Sequence, residues 1–482
     1  MTSPIEGPAV EPVAPATARH LDRLRQFYEQ APTAHTAAGK RYRRLLGQYY
    51  RHIIPSDASV LEVGCGSGEL LAQLPNKDIV GVDLANTQVE AARARLPHGQ
   101  FFVQAGETLS LDRTFDYVIV SETLNFAGDV QLLLSRLHSV SRPDTRLVVN
   151  FYNTLWRPVL SAATASGLKA RQPAINWLNN SDTRSLLELA GWRLVTEQPR
   201  ILLPVAFFGL DVAANRFLAP LLPWFCLTVF HVARPAPSPA GRREYSVSVV
   251  IPARNEAGNI ALAVARMPRM GSGVETIFVE GHSKDNTWET IQRVVSDHPD
   301  APIQALQQRG DGKGDAVREG FAAAHGDVLM ILDADLTVPP EDLVKFYDVI
   351  ASGSADFANG VRLVYPMEDR AMPFLNLLAN KTFGFAFSWV LGQPVKDTLC
   401  GTKVMLRSTY EQIAANRRVF GDFDPFGDFD LLFGAARLNC KIVDIPLRYQ
   451  ERSYGTTNIR RWRHGVLLLK MLIVGLRRLK WV

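Results

Sequence analysis

The first half of the chain alternates short apolar runs with amphipathic stretches. The apolar runs include SVLEV, DIVGVD, FDYVIV and RLVVNFY, and LANTQVEAARARL between two of them has the spacing of a helix. Two more helical segments precede them, HLDRLRQFYEQ and GKRYRRLLGQYYRHI. This alternation is typical of a parallel α/β sheet, which binds ligands at the carboxyl ends of its strands.

The same pattern begins again in the second half of the chain. The stretch ARPAPSPAGRRE leads into the buried-strand pattern SVSVVIPA, and VETIFVE and DVLMILDAD follow with helical segments between them. Because 482 residues exceed the ~250 to 300 at which one core stops growing, two α/β domains are expected. We predict a disordered tail over residues 1–18, a first domain over 19–233, a linker over 234–244, a second domain over 245–459 and a basic amphipathic helix over 460–482.

Residues 202–230 are apolar enough to suggest a membrane span. Asp211, Asn215, Arg216 and prolines at 204, 220 and 223 interrupt the segment, so no uninterrupted run of ~20 apolar residues remains. We interpret it as the closing strands of the first domain.

The C-terminal segment has a basic and apolar pattern of its own. The run from Val466 to Leu476 is too short to span a bilayer and contains Lys470, which with Arg463 and Arg477 repeats every seven residues. On a helix these cations form one stripe, which predicts a helix lying on an anionic membrane surface. The alternative is a helix docked on its own domain.

Charge and cysteine content exclude several classes. The net charge is +5, but the segment from Lys441 onward has a surplus of eight positive charges and the remainder is net negative, which argues against a nucleic-acid binder. Four separated cysteines without a CxxC pair argue against structural zinc and a disulfide framework. The N-terminus lacks the basic start and apolar run of a signal peptide. We expect a cytoplasmic protein, peripheral on the cytoplasmic face of the membrane.

A glycine-rich turn marks a ligand site in the first domain. Gly64, Gly66 and Gly68 directly follow a strand, where the missing Cβ atoms let a ligand approach the backbone. Asp83 ends the next strand, at the spacing of a carboxylate that binds ribose hydroxyls. Glu69 stands where a dinucleotide site has glycine and, with Glu62, would repel a pyrophosphate, so a ligand without phosphates is favoured.

LEVGCGSG, VGVDLA, QAGETL and FDYVIVSETL, in this order, resemble the class I S-adenosylmethionine-dependent methyltransferases over about residues 35–233. The resemblance implies a Rossmann-like sheet, with Glu62 and the three glycines around the methionine part of the cofactor and Asp83 on the ribose. It also implies Gly106 and Glu107 near the adenine, and Ser121 and Glu122 facing the methyl group or its acceptor. As alternatives, the glycines could be purely steric, and Asp83 could cap the helix that starts at Asn86. Methyl transfer depends mainly on aligned approach and need not use a base.

Two carboxylates at a strand end carry the chemistry of the second domain. Asp333 and Asp335 are two residues apart after DVLMIL, an arrangement that suits Mg²⁺ or Mn²⁺ with substrate phosphates in its shell. The alternative is a solvated turn.

SVVIPARNE, VEGHSKDNT, GKGDAVREG, DADLTVPP and DTLCGTKV, in this order, resemble the family 2 glycosyltransferases of the GT-A fold, in the branch similar to dolichyl- and polyprenyl-phosphate sugar synthases. The resemblance covers residues 245 to about 460. It implies a nucleotide-sugar site formed by Pro252, Ala253, Arg254, Glu256, Glu280, Asp285, Lys313 and Asp333, with a metal held by Asp333 and Asp335. Glu280-Gly281-His282-Ser283 replaces the common Asp-Asp-Gly-Ser, so the base, UDP or GDP, stays open. Thr337 replaces a longer amide side chain.

The acceptor side follows in GVRL, KDTLCGTK, FGDFDLLF and QERSYGTTN. The resemblance implies inversion at the anomeric carbon, with Arg362, Asp397 and Arg452 binding the acceptor. A hydroxyl acceptor needs a base, for which Asp428 is the first candidate, whereas a phosphate monoester is already largely ionised. As alternatives, Asp428 and Asp430 could serve the helix dipole and Arg452 a surface ion pair.

Together these features predict a bifunctional enzyme. One domain transfers a sugar from a nucleotide diphosphate to a polyprenyl phosphate or other lipid-linked acceptor, with Asp335 and Asp428 as catalytic residues. The other methylates a sugar or lipid-linked intermediate with S-adenosylmethionine. The alternative is a transferase acting on a saccharide hydroxyl, with a first domain that only binds cofactor or serves as a scaffold. The sequence leaves the oligomeric state open.

Overall fold

The chain folds as two compact units that divide at Ala236–Pro237. This computed structural model describes residues 13–30, 37–167, 169, 172–173, 176–237, 242–362, 374–417, 427–448, 450, 454 and 461–482, with the backbone alone at 37–38, 374–380 and 461–465. In this part of the chain, each cluster of buried apolar side chains belongs to one unit.

The first unit is built on a seven-stranded sheet in the order β3-β2-β1-β4-β5-β7-β6. The strands are β1 Val60–Val63, β2 Ile79–Asp83, β3 Gln100–Val103, β4 Phe115–Ser121, β5 Ser141–Tyr152, β6 Trp192–Ile201 and β7 Thr228–Pro235. The first five strands pair in parallel, and β7 runs antiparallel to both β5 and β6. The central strands β1 and β2 are buried throughout, which explains their continuous apolar runs.

Seven helices accompany this sheet in the described residues. They are α1 Pro15–Gln30, α2 Ala37–Ile53, α3 Asn86–Arg95, α4 Val130–Arg136, α5 Arg157–Ala165, α6 Asn180–Leu189 and α7 Leu210–Ala213. Helix α1 begins at Pro15, so residues 15–18 are helical and the disordered tail predicted over 1–18 is too long. Leu21 and Leu24 of α1 are buried. The prediction of a disordered tail was based on local composition, which carries no information about this burial.

The segment between β6 and β7 differs from its sequence-based interpretation as closing strands. Only Thr228 onward is a strand, whereas residues 210–218 form α7 followed by one π-helical turn, Ala214–Leu218. Asp211 and Asn215, which interrupt the apolar run in the sequence, are therefore polar residues of a helical connection.

The second unit has a seven-stranded mixed sheet in the order β10-β9-β8-β11-β13-β12-β14. The strands are β8 Ser246–Ala253, β9 Gly273–Glu280, β10 Ile303–Gln307, β11 Val328–Ile331, β12 Phe357–Val361, β13 Lys403–Leu406 and β14 Ile442–Pro446. Strand β13 is antiparallel to its neighbours β11 and β12, and the other pairs are parallel. The helices are α8 Ile260–Ala265, α9 Thr287–Asp297, α10 Lys313–Ala323, α11 Leu343–Ala351, α12 Phe374–Leu391, α13 Arg407–Ala415, α14 Asp428–Arg437 and α15 Arg461–Gly475.

The C-terminal helix α15 packs one face into the core of its own unit. Leu468 and Met471 are buried there, while Val466, Leu469 and Ile473 are exposed on the other side. The alternative interpretation, a helix docked on its own domain, therefore describes the inner face of α15. Its outer face has the apolar and basic character from which membrane contact was predicted. Within the described residues, no helix is long and apolar enough to cross a bilayer.

Candidate active sites

The glycine-rich turn of the first unit surrounds an open ligand position. Gly64, Gly66 and Gly68 have φ values of 77°, 50° and 71°, in the left-handed region that favours glycine. A Cβ at Gly64 would overlap Thr123, but one at Gly66 would have no atom closer than 4.0 Å. Gly64 thus serves packing, and Gly66 leaves backbone open to a ligand.

Asp83 fastens this turn to the neighbouring strand. Its carboxylate accepts hydrogen bonds from the Gly66 N–H at 2.9 Å and the Ala85 N–H at 3.0 Å. It does not cap α3, whose first N–H groups, at Asn86 and Thr87, instead donate to Glu29 at 2.7 and 3.2 Å. The capping carboxylate comes from α1, 57 residues earlier, so the sequence carries no local signal for it.

A cavity of about 490 Å³ lies beside the turn, a size ordinary for a small-molecule site. Its lining includes Glu62, Asp83, Gly106, Glu107, Ser121 and Glu122 together with Leu21, Leu24, Phe27 and Tyr28 of α1. The structure therefore brings most of the residues predicted for the cofactor to one cavity, covered in part by a helix that sequence reasoning did not assign to it. Gly68 is not among the lining residues, and a Cβ at that position would lie 3.2 Å from Ala92 of α3.

Glu62 is one of the buried carboxylates of this cavity. Its Oε2 atom has no hydrogen-bond partner, and burial raises the pKa of Glu62 to about 8 although nearby Arg43 opposes the shift. A cation placed here would favour the ionised form. S-adenosylmethionine carries an ammonium and a sulfonium and no phosphate, so the donor set fits that cofactor.

Two other predicted positions have internal roles. The Glu107 carboxylate accepts a hydrogen bond from the Gly128 N–H at 2.8 Å, and a Cβ at Gly106 would overlap Leu133. Both residues line the cavity while holding the neighbouring loop, so their predicted place beside the adenine stays a prediction.

A polar group surrounds Glu122 at the end of β4. Glu122 has a left-handed backbone, with φ of 60°, and its carboxylate lies 3.6 Å from the Arg43 guanidinium. Burial raises the pKa of Tyr42 and of Tyr152, and the Glu122 charge adds to both shifts. Sequence reasoning missed Arg43, Tyr42 and Tyr152, because α2 and β5 reach Glu122 only through the tertiary fold.

In the second unit, the loops after β8 and β9 are joined by side-chain bonds. The Asn255 N–H donates to Ser283 Oγ at 3.0 Å, and the Lys284 N–H donates to Asn255 Oδ1 at 2.7 Å. Pro252, Ala253 and Arg254 lie where β8 enters this loop pair. The two motifs thus form one surface at the carboxyl ends of parallel strands.

Three acids predicted for the nucleotide lie on these loops. Glu256 accepts from the Asn259 side-chain amide at 2.8 Å, and Glu280 accepts from the Ser283 N–H at 2.5 Å. Asp285 Oδ1 accepts from the Thr287 hydroxyl at 2.5 Å, while its Oδ2 is buried without a hydrogen-bond partner. Asp285 therefore keeps an acceptor atom for a ligand.

Three ion pairs cluster at the ends of β11, β12 and β13. They are Lys313–Asp333 at 2.5 Å, Lys403–Asp428 at 3.8 Å and a bidentate Arg362–Asp397 pair at 2.7 and 2.9 Å. Burial lowers the pKa of Lys313, but Asp333 and Asp428 outweigh it and the net shift is upward. Burial raises the pKa of Asp428, against the charges of Lys403 and Lys313. The cluster unites four motifs that are far apart in sequence.

The two carboxylates predicted to hold metal have different surroundings. Asp333 is paired with Lys313, whereas Asp335 Oδ1 accepts from the Thr337 N–H at 3.1 Å and hydroxyl at 2.8 Å. Among the residues described, no group of three or more His, Cys, Asp or Glu side chains could hold a metal ion by itself. A cation here would need substrate oxygens to complete its shell, which agrees with the oxygen chemistry of the site.

The acceptor-side residues lie partly within the described part of the chain. The Arg362 guanidinium is paired with the Asp397 carboxylate, and the Asp430 carboxylate accepts from the Arg417 guanidinium at 2.6 Å. Arg452 and Asn458 lie outside the described residues. On either side of Arg452, the Gln450 N–H donates to Thr337 O at 3.0 Å and the Tyr454 ring lies against Gly258.

Comparison with known families assigns the two units. Residues 33–197 match the model of a methyltransferase domain, and residues 248–414 match the model of glycosyl transferase family 2. The chain is a fusion of these two domains. The fusion thus joins a methyltransferase domain to a family 2 glycosyltransferase domain, in the order that the motifs predicted.

The glycosyltransferase domain has curated relatives. The fusion is 29% identical over 243 residues to a dolichol-phosphate mannosyltransferase of Pyrococcus furiosus, covering 49% of this chain and 64% of the relative. It is 29% identical over 216 residues to an undecaprenyl-phosphate 4-deoxy-4-formamido-L-arabinose transferase of Pectobacterium carotovorum. This match covers 44% of this chain and 62% of the relative. The fusion therefore spans less than two thirds of the length of these two relatives.

A solved structure resembles the methyltransferase domain. It is an S-adenosylmethionine-dependent methyltransferase of Thermotoga maritima, described as a possible histamine N-methyltransferase, with 16% identity and a TM-score of 0.33. The match covers 45% of this chain and 98% of the other.

Proposed function

We propose that the glycosyltransferase domain moves a sugar from a nucleotide diphosphate to a polyprenyl phosphate, with inversion at the anomeric carbon. The observation that carries the proposal is the cluster of three ion pairs, in which residues of GKGD and DAD, proposed for the donor, lie near residues of KDTLCGTK and GDFD, proposed for the acceptor. Both curated relatives named above carry a lipid phosphate in their names, which supports the acceptor class.

The proposed roles follow the contacts. Lys313 would leave Asp333 for the donor phosphates, and Asp285 Oδ2 would accept from the nucleoside. Mg²⁺ or Mn²⁺ would be held by Asp335, with Asp333 once Lys313 has turned away, and would neutralise charge on the departing diphosphate. Arg452 is the proposed acceptor phosphate contact, because the resemblance places it in an acceptor motif and a guanidinium suits a phosphate.

Nucleotide-sugar turnover tests this proposal. Wild-type enzyme with Mg²⁺ or Mn²⁺ is given a short polyprenyl phosphate or the matching alcohol, beside the variants Asp335→Asn and Asp348→Asn. We expect product on the phosphate alone. This product should be lost in Asp335→Asn and retained in Asp348→Asn, the control at an exposed position. Equal product on the alcohol would contradict a phosphate acceptor.

A second candidate acceptor is a saccharide hydroxyl. The raised pKa of Asp428 favours it, since a buried carboxyl of this kind suits a general base. Complete loss of transfer in Asp428→Asn, together with product on a soluble saccharide and none on polyprenyl phosphate, would select this candidate.

We propose further that the methyltransferase domain is active in the same pathway, on a sugar or lipid-linked intermediate. S-adenosylmethionine supplies an electrophilic methyl group. Glu62, Gly66 and Asp83 would hold this cofactor in the cavity. Glu122, Arg43, Tyr42 and Tyr152 would orient the acceptor. Labelled methyl should appear in the glycosyltransferase product or its precursor, whereas cofactor binding without turnover on any intermediate would favour a cofactor-binding module.

We also propose that the fusion works as a peripheral protein on the cytoplasmic membrane face. An outward apolar and basic side is formed by Val466, Leu469, Lys470 and Ile473 of α15 together with Arg477 of the π-helical turn Leu476–Lys480 that follows, which supports contact with anionic lipid. Leu469→Asp places a carboxylate on this apolar side and should weaken binding of the protein to anionic vesicles, measured by flotation.

A further inference from the structure

The connection between β6 and β7 exposes an apolar surface on the methyltransferase domain. Residues 205–225 contribute eleven of the twenty-four exposed large apolar side chains in the described part of the chain. Phe208 is 99% exposed and Trp224 is 74% exposed, and Phe207, Leu210, Leu221 and Phe225 are also exposed. Contiguous apolar surface of this kind on a soluble domain marks an interaction site. We call residues 205–225 the apolar connection.

The polar groups of the apolar connection are turned inward. Asp211 is buried, pairs with Arg41 of α2 and accepts from the Phe207 N–H at 3.0 Å. Asn215 accepts from the N–H groups of Leu202 and Leu203, both at 2.8 Å. These bonds satisfy backbone groups from inside, and Arg216 is the single charged side chain that residues 205–225 expose. An apolar outer face over an internally bonded backbone is the arrangement that lipid requires.

The backbone presents Phe208 at a conformational cost. Phe208 has φ of 46° and Gly209 has φ of 83°, and a left-handed backbone is unfavourable for a bulky residue. The strained position places a nearly fully exposed aromatic ring at the surface, where it contacts the ring of its exposed neighbour Phe207 edge to face. Strain of this kind is typical of functional positions.

A basic helix lies beside the apolar connection. Helix α2, which is joined to it by Arg41–Asp211, contains five Arg and Lys residues and no carboxylate. Lys40, Arg44 and Arg51 are exposed, and their spacing of four and eleven residues places them on one face. A second copy of the chain packed symmetrically on this surface would bring like charges together, whereas anionic lipid would complement them.

We propose that the apolar connection inserts into the interface of an anionic phospholipid bilayer, with α2 as its basic flank. Aromatic residues favour the membrane interface, and Arg216 can extend its guanidinium toward the headgroups. This inference is independent of the activity of either domain and of the membrane contact proposed for α15.

The insertion would orient the cofactor cavity. The apolar connection leaves β6 and enters β7 at the carboxyl edge of the sheet, the edge on which Gly66 and Glu122 lie. Asn153, at the end of β5, donates to Trp224 O at 3.0 Å, and Trp156 donates to Phe225 O at 2.9 Å. Insertion therefore brings the carboxyl edge of the sheet to the lipid surface.

A local fluorescence probe tests the proposal in the full-length protein. All four native cysteines are buried, so Phe208→Cys can be labelled selectively with an environment-sensitive dye, and Leu189→Cys on α6, where Leu189 is 68% exposed, is the matched control. Vesicles of phosphatidylcholine with phosphatidylglycerol should shift the emission of the label at 208 to the blue and leave the label at 189 unchanged. Phosphatidylcholine alone should give a weaker response.

Two variants separate lipid contact from folding. Phe208→Gly removes the ring and relieves the left-handed strain, so the melting temperature should not fall while vesicle partitioning weakens roughly tenfold. Trp224→Ser should weaken partitioning to a similar degree.

Three results would overturn the proposal. The first is vesicle binding with no response at position 208, which would assign membrane contact elsewhere. The second is an emission shift that depends on protein concentration without lipid, which would identify a second copy as the occupant. The third is a label at 208 already shielded before lipid is added.

Discussion

Gly401 leaves room for the ion pair at the centre of the glycosyltransferase cluster. A Cβ at this position would overlap both the Lys313 ammonium and the Asp333 carboxylate. Gly401→Ala should therefore displace Lys313 and lower the rate of nucleotide-sugar turnover roughly 10²-fold without unfolding the domain.

The matched control is Gly273→Ala. A Cβ at Gly273 would have no neighbouring atom within 4 Å, and the backbone there lies outside the left-handed region, so this variant should keep wild-type turnover. Equal rates in the two variants would mean that the Lys313–Asp333 pair is not part of the machinery.

Glu62 gives the cofactor site a pH dependence whose sign follows from its raised pKa. Burial raises this pKa from its ordinary 4.5 to about 8, so between these values the folded protein holds a proton that the unfolded chain has released. The free energy of unfolding should therefore fall as pH rises from about 4.5 to about 8, and Glu62→Gln should remove this part of the slope.

Cofactor binding should show the opposite trend. A cationic ligand favours ionised Glu62, so S-adenosylmethionine affinity should rise with pH up to about 8 and binding should release a proton. Calorimetry in buffers of different ionisation enthalpy measures this proton. Proton-neutral binding at about pH 7 would place Glu62 away from the cofactor cation.

At the scale of elements, the Glu29 carboxylate joins α1 to α3 beside the cofactor cavity, in addition to contacts such as that of His20 with Phe126 O at 2.9 Å. Glu29 accepts from the first two N–H groups of α3, and the Asn86 bond is the main cause of its lowered pKa. Glu29→Gln should weaken this contact and speed cofactor release roughly two- to fivefold, as for a lost charge at a helix N-terminus.

The release rate of S-adenosylhomocysteine measures this effect. Asp22→Asn, on an exposed position of the same helix, is the control and should leave release unchanged. Because the pKa of Glu29 is lowered, its contribution is complete above pH 4.5 and is lost as the pH falls below that value. Release that is equally fast in wild type and Glu29→Gln would mean that α1 does not retain the cofactor.

The elements also separate what local sequence can predict from what it cannot. The glycine turn and the DAD strand end follow from local patterns, because the strand, the turn residues and the chemistry are adjacent in the chain. The Glu29 cap and the Arg362–Asp397 pair join residues 57 and 35 positions apart, and either partner could equally be a solvated surface charge. The helical connection between β6 and β7 was missed because most of its large apolar side chains are exposed, whereas apolar runs are ordinarily interpreted as core.

At the scale of the whole molecule, the two units have separate cores. The buried apolar clusters described above each lie on one side of residue 236. We expect two calorimetric transitions, one raised only by S-adenosylhomocysteine and the other only by nucleoside diphosphate with Mn²⁺.

The size of these shifts follows from binding linkage. Ligand at one hundred times its Kd adds about 2.7 kcal/mol, which corresponds to roughly 5–10 °C for a domain of this length. A single transition raised by either ligand would show that the units unfold together.

The shared edge of the cofactor cavity and the apolar connection has a kinetic consequence. An enzyme that meets its methyl acceptor within a bilayer encounters it in two dimensions, so the relevant concentration is moles of acceptor per mole of lipid. Adding inert phospholipid at constant bulk acceptor should then slow methylation by surface dilution, while stirring in more buffer at constant lipid composition should leave the rate per bound enzyme unchanged.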